Sequence, residues 1–148
     1  MPIPSLTADG FLPEGVHECS AEELHQRFGL FQQTDRRPKL FAQLQSYIVE
    51  AKASGLVRYL CIDGSFVTAL PEPNDIDLIL VVAPDHDLAV DLSPAQYNVV
   101  SRTRVRRLFG FDIVAAREGT SEVEESVSFF QEVRGRPDLR KGILRLLV

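Results

Sequence analysis

Tryptophan is absent from the 148 residues, histidine occurs three times and cysteine twice. Cys19 and Cys61 lie far apart in sequence, so no disulfide framework is evident. Cys61 sits in an apolar run, which suits a buried, reduced thiol. No stretch approaches the ~18 apolar residues of a membrane span, and the N-terminus lacks the basic-then-apolar pattern of a secretion signal. Basic charge is also in short supply: 16 Lys and Arg face 21 Asp and Glu, a net charge of −5. That balance argues against a general nucleic-acid coat, whose affinity comes from neutralising phosphates. It leaves room for a phosphate held locally or through metal ions. No Ser–His–Asp or Cys–His arrangement stands out, and His17 and His25 read as arm or surface residues. These absences describe a cytoplasmic protein with no membrane segment and no general DNA binding.

What is present fits one ordinary domain over residues 1–148. At this length roughly two-thirds of the unfolded surface can be buried, so neither a disulfide nor a structural metal is required. Residues 1–55 read as an N-terminal arm and helices, 56–116 as a catalytic core, and 117–148 as a C-terminal helix and strand. The first 18 residues hold Pro2, Pro4, Pro13, Gly10 and Gly15 and read as an irregular arm. Ser20-Ala-Glu-Glu23 is a capping box that opens a helix to Phe28. A longer helix starts near Thr34 or Asp35, with Leu40, Phe41, Leu44, Tyr47, Ile48 and Ala51 at helical spacing and Gly55 as its stop. Val57–Ile62 predicts a strand, Phe66–Leu70 a helical turn and Asp75–Ala83 a second strand. Pro84–Leu92 reads as a polar loop. Its Asp85-His86-Asp87 triplet has metal-ligand chemistry but suits a solvated surface. Ser93-Pro94 opens a helix to about Leu108. Gly110–Ala116 is a third strand, Ser121-Glu-Val-Glu124 a second capping box, Arg134–Lys141 a basic loop and Gly142–Val148 a last strand. This order predicts an α/β or α+β fold, with a mixed, mainly antiparallel sheet of about four strands flanked by helices.

The chemistry concentrates between residues 61 and 112. Residues i and i+2 of a strand share a face, so Asp75 and Asp77 stand side by side with Ile76 and Leu78 turned away. Adjacent carboxylates repel and raise each other's proton affinity unless they are solvated or share a cation. Magnesium takes oxygen ligands, often one or two carboxylates plus substrate phosphates. Two such ions roughly 4 Å apart can activate an attacking hydroxyl and stabilise a leaving pyrophosphate. Asp112, between Phe111 and Ile113, is a third candidate, because a lone Asp in an apolar strand is costly to bury unpaired. Gly64-Ser65, at a strand-to-helix turn, offers backbone N–H groups and a hydroxyl to a phosphate.

The pattern apolar-Gly64-Ser65, a loop, Asp75-Ile-Asp77-Leu, then Phe-Asp112-Ile resembles the DNA polymerase β-type nucleotidyltransferase superfamily over about Val57–Val114. The segments Gly10–His17, Gly64–Thr68, Pro71–Asp77 and Lys141–Ile143 are similar to a family of short bacterial proteins of unknown function placed in that superfamily. The resemblance implies a nucleotidyltransferase-like fold in which Asp75 and Asp77 bind two Mg²⁺ ions, or Mn²⁺. It further implies that Asp112 holds the catalytic ion and helps deprotonate the attacking hydroxyl, and that Gly64 and Ser65 hold the β/γ-phosphates. Small members of the superfamily carry an arginine after the Gly-Ser and a Ser before the first Asp. Here Phe66–Asn74 has no basic residue and Asn74 replaces the Ser. Arg102, Arg106 and Arg107 are candidates for neutralising a triphosphate instead, although cations also suit a helix C-terminus. Arg134, Arg136 and Lys141 are the other candidates.

The expected activity is transfer of a nucleoside monophosphate from a triphosphate such as ATP to a hydroxyl. By resemblance the acceptor is a partner protein or a tRNA end, in a toxin–antitoxin or phage-defence pair. A non-catalytic nucleotide- or partner-binding protein of the same fold is the alternative, and a purely structural interaction protein the third.

Overall fold

The computed structural model describes residues 3–85 and 91–148. The N-terminal half comprises β1 (Gly15–Cys19), α1 (Ala21–Phe28), α2 (Arg36–Ser54), β2 (Val57–Asp63), a 3₁₀ turn (Ser65–Val67) and β3 (Asp77–Val82). After it come α3 (Pro94–Val100), α4 (Arg102–Phe109), β4 (Asp112–Arg117), α5 (Ser121–Phe130), β5 (Glu132–Val133), β6 (Arg136–Arg140) and β7 (Gly142–Leu147).

Five strands form one sheet in the order β1-β7-β2-β3-β4, and β5 and β6 form a separate hairpin. β1 runs parallel to β7 and β4 parallel to β3, while β2 is antiparallel to both its neighbours. The sheet is therefore mixed and one strand wider than the four mainly antiparallel strands expected. The additional strand is β1, which falls inside the expected irregular arm. It is a half-exposed edge strand, so it lacks the apolar run that marks β3, where Leu78 to Val82 are all fully buried.

The sheet separates two unequal apolar layers. On one face Leu60, Ile62, Leu78, Leu80, Ile113, Leu144 and Leu146 join one cluster with Leu24, Phe28, Leu44, Tyr47 and Ile48 of α1 and α2 and with Val99 and Val105 of α3 and α4. On the other, Cys61, Ile79, Val81 and Ile143 lie under Val123, Val127 and Phe130 of α5.

The capping box of α1 is present: Ser20 Oγ accepts from Glu23 N–H and Glu23 Oε1 from Ser20 N–H, both at 3.0 Å. Gly55 ends α2 in the left-handed conformation, with φ of 70°. Three expectations are corrected. The single helix from Ser93 to Leu108 is two helices, because Ser101 leaves helical geometry and caps α4 by accepting from Arg104 N–H. The capping box at Ser121 is absent: Thr120 occupies the cap position without a side-chain cap bond and donates its hydroxyl to Arg117 O instead. The loop at 134–141 is largely the β5–β6 hairpin. Of the triplet at 85–87, His86 and Asp87 lie outside the described residues, as does the central part of the 84–92 segment.

Candidate active site

Strand register builds the acidic end of the sheet. Asp63, the last residue of β2, is directly opposite Asp77, the first of β3, and Asp77 is directly opposite Asp112, the first of β4. Register partners project to the same side, so three carboxylates form a row on the face covered by α5. Asp75 lies ahead of β3 rather than within it, so strand alternation is not what places it. Ser65 does so: its N–H and its hydroxyl both donate to Asp75 Oδ1, at 2.8 and 2.7 Å. The same hydroxyl oxygen accepts from Asn74 N–H at 2.8 Å. Gly64 makes this closure possible. Its φ is +96°, and a Cβ there would meet Asp75 O at 2.8 Å, so any side chain would force the loop apart.

The row is electrostatically unfavourable. Asp77 has its pKa pushed up to about 6, first by burial and then by the charges of Asp75, Asp63 and Asp112, with Lys141 acting in the opposite direction. Asp63 is 4% exposed, and burial also raises its pKa against the pull of Lys141. Lys141 Nζ lies 3.0 Å from Asp63 Oδ1. Asp112 is paired with Arg106. Asp77 forms no ion pair among the described residues. Each other member of the group is thus held by its own partner. Among the described residues, no three carboxylate, imidazole or thiol groups are gathered closely enough to hold an ion as they stand.

Asp63, Asp75 and Asp77 open onto a cleft of about 1160 Å³, which Asp112 does not line. Asp63, Gly64, Ser65, Asp75 and Asp77 line one side; Phe129 and the β5–β6 segment, with Arg134, Arg136, Arg140 and Lys141, line another. The structure thus brings Lys141, Arg134 and Arg136 to the same cavity as Gly64, Ser65, Asp75 and Asp77. Arg102, Arg106 and Arg107 belong to α4 and do not line it. Arg106 meets the acid row only through Asp112.

Two features escape sequence reasoning. Asp63 reads as a turn-former before glycine, and only the β2–β3 register reveals it as the buried neighbour of Asp77. Arg37, in the first turn of α2, is 2% exposed. Its guanidinium donates to the carbonyls of Phe28, Phe66, Thr68 and Leu70 at 3.2, 2.6, 2.8 and 2.5 Å. Arg36 adds a bond to Pro73 O at 2.8 Å. The two arginines clamp the segment that links Ser65 to Asp75. An Arg-Arg pair before a proline carries no sequence mark of this role.

Fold and site together define a mixed α/β protein with an acid-ended sheet and a cleft of divided charge. The chain belongs to a family of unknown function (DUF6932), whose profile matches residues 4–147. No curated protein and no solved structure matches it.

Proposed function

We propose that this protein is a small metal-dependent nucleotidyltransferase of the DNA polymerase β type. The observation that carries the reading is the in-register row Asp63–Asp77–Asp112, with Asp75 fixed beside it and Asp77 raised to about 6 without a cation of its own. Isolated carboxylates are seldom crowded in this way unless something neutralises them. An all-carboxylate donor set suits a hard divalent cation. Asp75 and Asp77 would hold Mg²⁺ or Mn²⁺, joined by Asp112 once it leaves Arg106. The bound ions would supply charge neutralisation and lower the pKa of the attacking hydroxyl.

In the reaction, the acceptor hydroxyl oxygen forms a bond to the α-phosphorus of the triphosphate. The bond from that phosphorus to the bridging oxygen breaks, pyrophosphate leaves, and the hydroxyl proton passes to a carboxylate of the row and then to water. Gly64 and Ser65 receive the β/γ-phosphates. Because Ser65 N–H and Oγ–H both serve Asp75, a phosphate that takes these donors frees Asp75 at the same moment. Lys141 and the hairpin arginines stand in for the basic residue missing from Phe66–Asn74. Most of the rate would come from positioning and charge stabilisation.

The test is label transfer from α-³²P nucleoside triphosphates to acceptors in a cell extract. Wild type is expected to transfer label, and Asp75→Asn, Asp77→Asn and Asp112→Asn to lose it while staying folded. Unchanged transfer by the Asp75/Asp77 double variant would refute the reading. The Arg106–Asp112 pair and the lack of a basic residue in 66–74 favour a second reading, a non-catalytic nucleotide-binding protein of the same fold. That reading expects Mg²⁺-dependent thermal stabilisation by nucleotide with no transfer.

A further inference from the structure

We propose that α4 is a docking surface for an acidic segment of a partner protein, and that its occupation draws Arg106 away from Asp112. The partner acts here as an effector and not as the acceptor. The docking stands apart from the transfer reading; its consequence for metal binding rests on that reading.

Charge is the first argument. Four of the chain's 16 basic residues, Arg102, Arg104, Arg106 and Arg107, stand on the eight residues of α4, which carries no carboxylate. The arrangement works against the helix. Arg102 and Arg104 sit in its first turn, where the dipole favours anions. Arg102 and Arg106 are like charges at i, i+4, and Arg104 and Arg107 at i, i+3, spacings that repel. All four side chains are exposed. Arg102, Arg104 and Arg107 form no ion pair among the described residues, and Arg106 has Asp112. They also stand away from the cleft that would take the triphosphate. A local rule broken without a compensating contact marks a surface kept for something outside the fold.

The surroundings favour a peptide over a polynucleotide. The face of Tyr97 that could stack on a base is taken by the Arg104 guanidinium, 5.5 Å from the ring centroid and bonded to Asn98 Oδ1 at 2.7 Å. Leu108, one turn beyond Arg104, is exposed and offers an apolar contact beside the charges. The chain leads from α4 into β4, the outermost strand of the sheet, whose outer edge has no strand partner among the described residues. Its centre, Ile113–Ala116, carries none of the charges that usually block strand addition. Free backbone groups beside a basic helix suit an extended acidic peptide.

Arg106 connects this surface to the acid row. Its pair with Asp112 is open to solvent on both sides, so it contributes little and yields to a competing carboxylate. An acid group docked at Arg102 and Arg106, which share a helix face, takes the guanidinium from Asp112. Asp112 is then free to serve the row with Asp77, its register partner. Partner binding and metal binding are thereby coupled, and coupling of this kind is reciprocal.

Fluorescence anisotropy with a fluorescein-labelled peptide of ten glutamates and two leucines tests this in EDTA buffer without nucleotide. Wild type is expected to bind it, more weakly as salt is raised. Arg102→Ala/Arg107→Ala should lower the affinity about two- to thirtyfold, the loss of two exposed ion pairs. Asp112→Asn, which releases Arg106, should tighten binding about two- to fivefold. In an Arg106→Gln background the same Asp112→Asn change should have no effect, because the released group is gone. The altered side chains are all exposed, so each variant should keep the wild-type circular dichroism spectrum. Four results would overturn the proposal: no salt-sensitive peptide binding, wild-type affinity in Arg102→Ala/Arg107→Ala, an Asp112→Asn effect that is absent or survives Arg106→Gln, or tighter binding of a single-stranded oligonucleotide of matching charge. Since no metal or nucleotide is present, these failures leave the transfer reading standing. Peptide docking by a protein that fails label transfer would leave the docking standing instead.

Discussion

The two faces of the central sheet are built from the same strands and do opposite work. Toward α1–α4, the residues of β2, β3 and β7 join one large apolar cluster, against whose Phe28 and Phe66 rings the buried Arg37 guanidinium packs. Toward α5, a smaller cluster of Cys61, Ile79, Val81 and Ile143 gives way at one end to Asp63, Asp77 and Asp112. None of the residues of α5 is fully buried, whereas α2 buries Leu40, Phe41, Leu44, Tyr47, Ile48 and Ala51. Alternation along a strand lets one face carry stability while the end of the other tolerates repulsion. Carboxylates crowded at a cost in stability single out that end of the sheet as the candidate site.

Substitutions on the two faces should therefore differ in sign. Leu80→Ala, fully buried on the α1–α4 face, is expected to destabilise by about 2–5 kcal/mol in urea or thermal unfolding. A loss below 1 kcal/mol would mean that this face is not the main core. Next in size is Arg37→Met, which strands four carbonyls and should cost about 2–3 kcal/mol, softened where the loop can rehydrate. It should also speed amide exchange at Ser65 and Phe66, whose N–H groups bond to Asp75. Arg37→Lys should recover only part of this, since an ammonium cannot reproduce the guanidinium fork. Wild-type exchange rates at those amides in Arg37→Met would show that the clamp does not hold the loop.

Asp77→Asn should act in the opposite direction and stabilise the ligand-free protein. The native pKa is raised from 3.8 to about 6, so the native state holds its proton more tightly than the unfolded chain does. The stability linked to that proton is present below pH 4 and lost as pH rises through about 6. A shift of about two units corresponds to about 3 kcal/mol, which solvent at this half-open site reduces to about 1 kcal/mol. At pH 7–8 Asp77→Asn should thus gain about 1 kcal/mol, with a shallower decline between pH 4 and 6. Asp63, also raised, contributes with the same sign. A destabilised Asp77→Asn would show that the carboxylate is held by favourable contacts instead. The smallest contrast lies in the helices that cover the two faces. Ser20→Ala removes a formed capping box and should cost about 1 kcal/mol. Ser121→Ala, where no cap bond exists, should stay within about 0.5 kcal/mol.

How legible these faces are in the sequence follows from how each is encoded. The core face is written in local periodicity: the 3.6-residue repeat of α2, the apolar runs of β2, β3 and β7, and the Ser20–Glu23 box all predict what forms. β1 escapes because an exposed edge strand among glycines and prolines has no apolar run. The α3–α4 break escapes because a serine cap inside a continuous pattern looks like one more polar position. The hairpin escapes because β5 has two residues and β6 is charged and exposed. At the site, Asp77 and Asp112 can be picked out as carboxylates beside apolar strand residues, but their adjacency depends on a parallel register between segments over 30 residues apart. Asp75 illustrates the reverse: the residue is conspicuous, yet Ser65 holds it rather than a strand pleat. Asp63 and Arg37 became visible only through long-range pairing, which no local spacing encodes.

The account rests on the acid row being a cation-dependent nucleotide site. Isothermal titration of each nucleoside triphosphate into wild type and into Asp75→Asn/Asp77→Asn, with Mg²⁺ and in EDTA, tests this directly. The account predicts binding of at least one triphosphate by wild type only when Mg²⁺ is present, and none by the double variant. Equal binding in EDTA, equal binding by the double variant, or no binding of any triphosphate would contradict it.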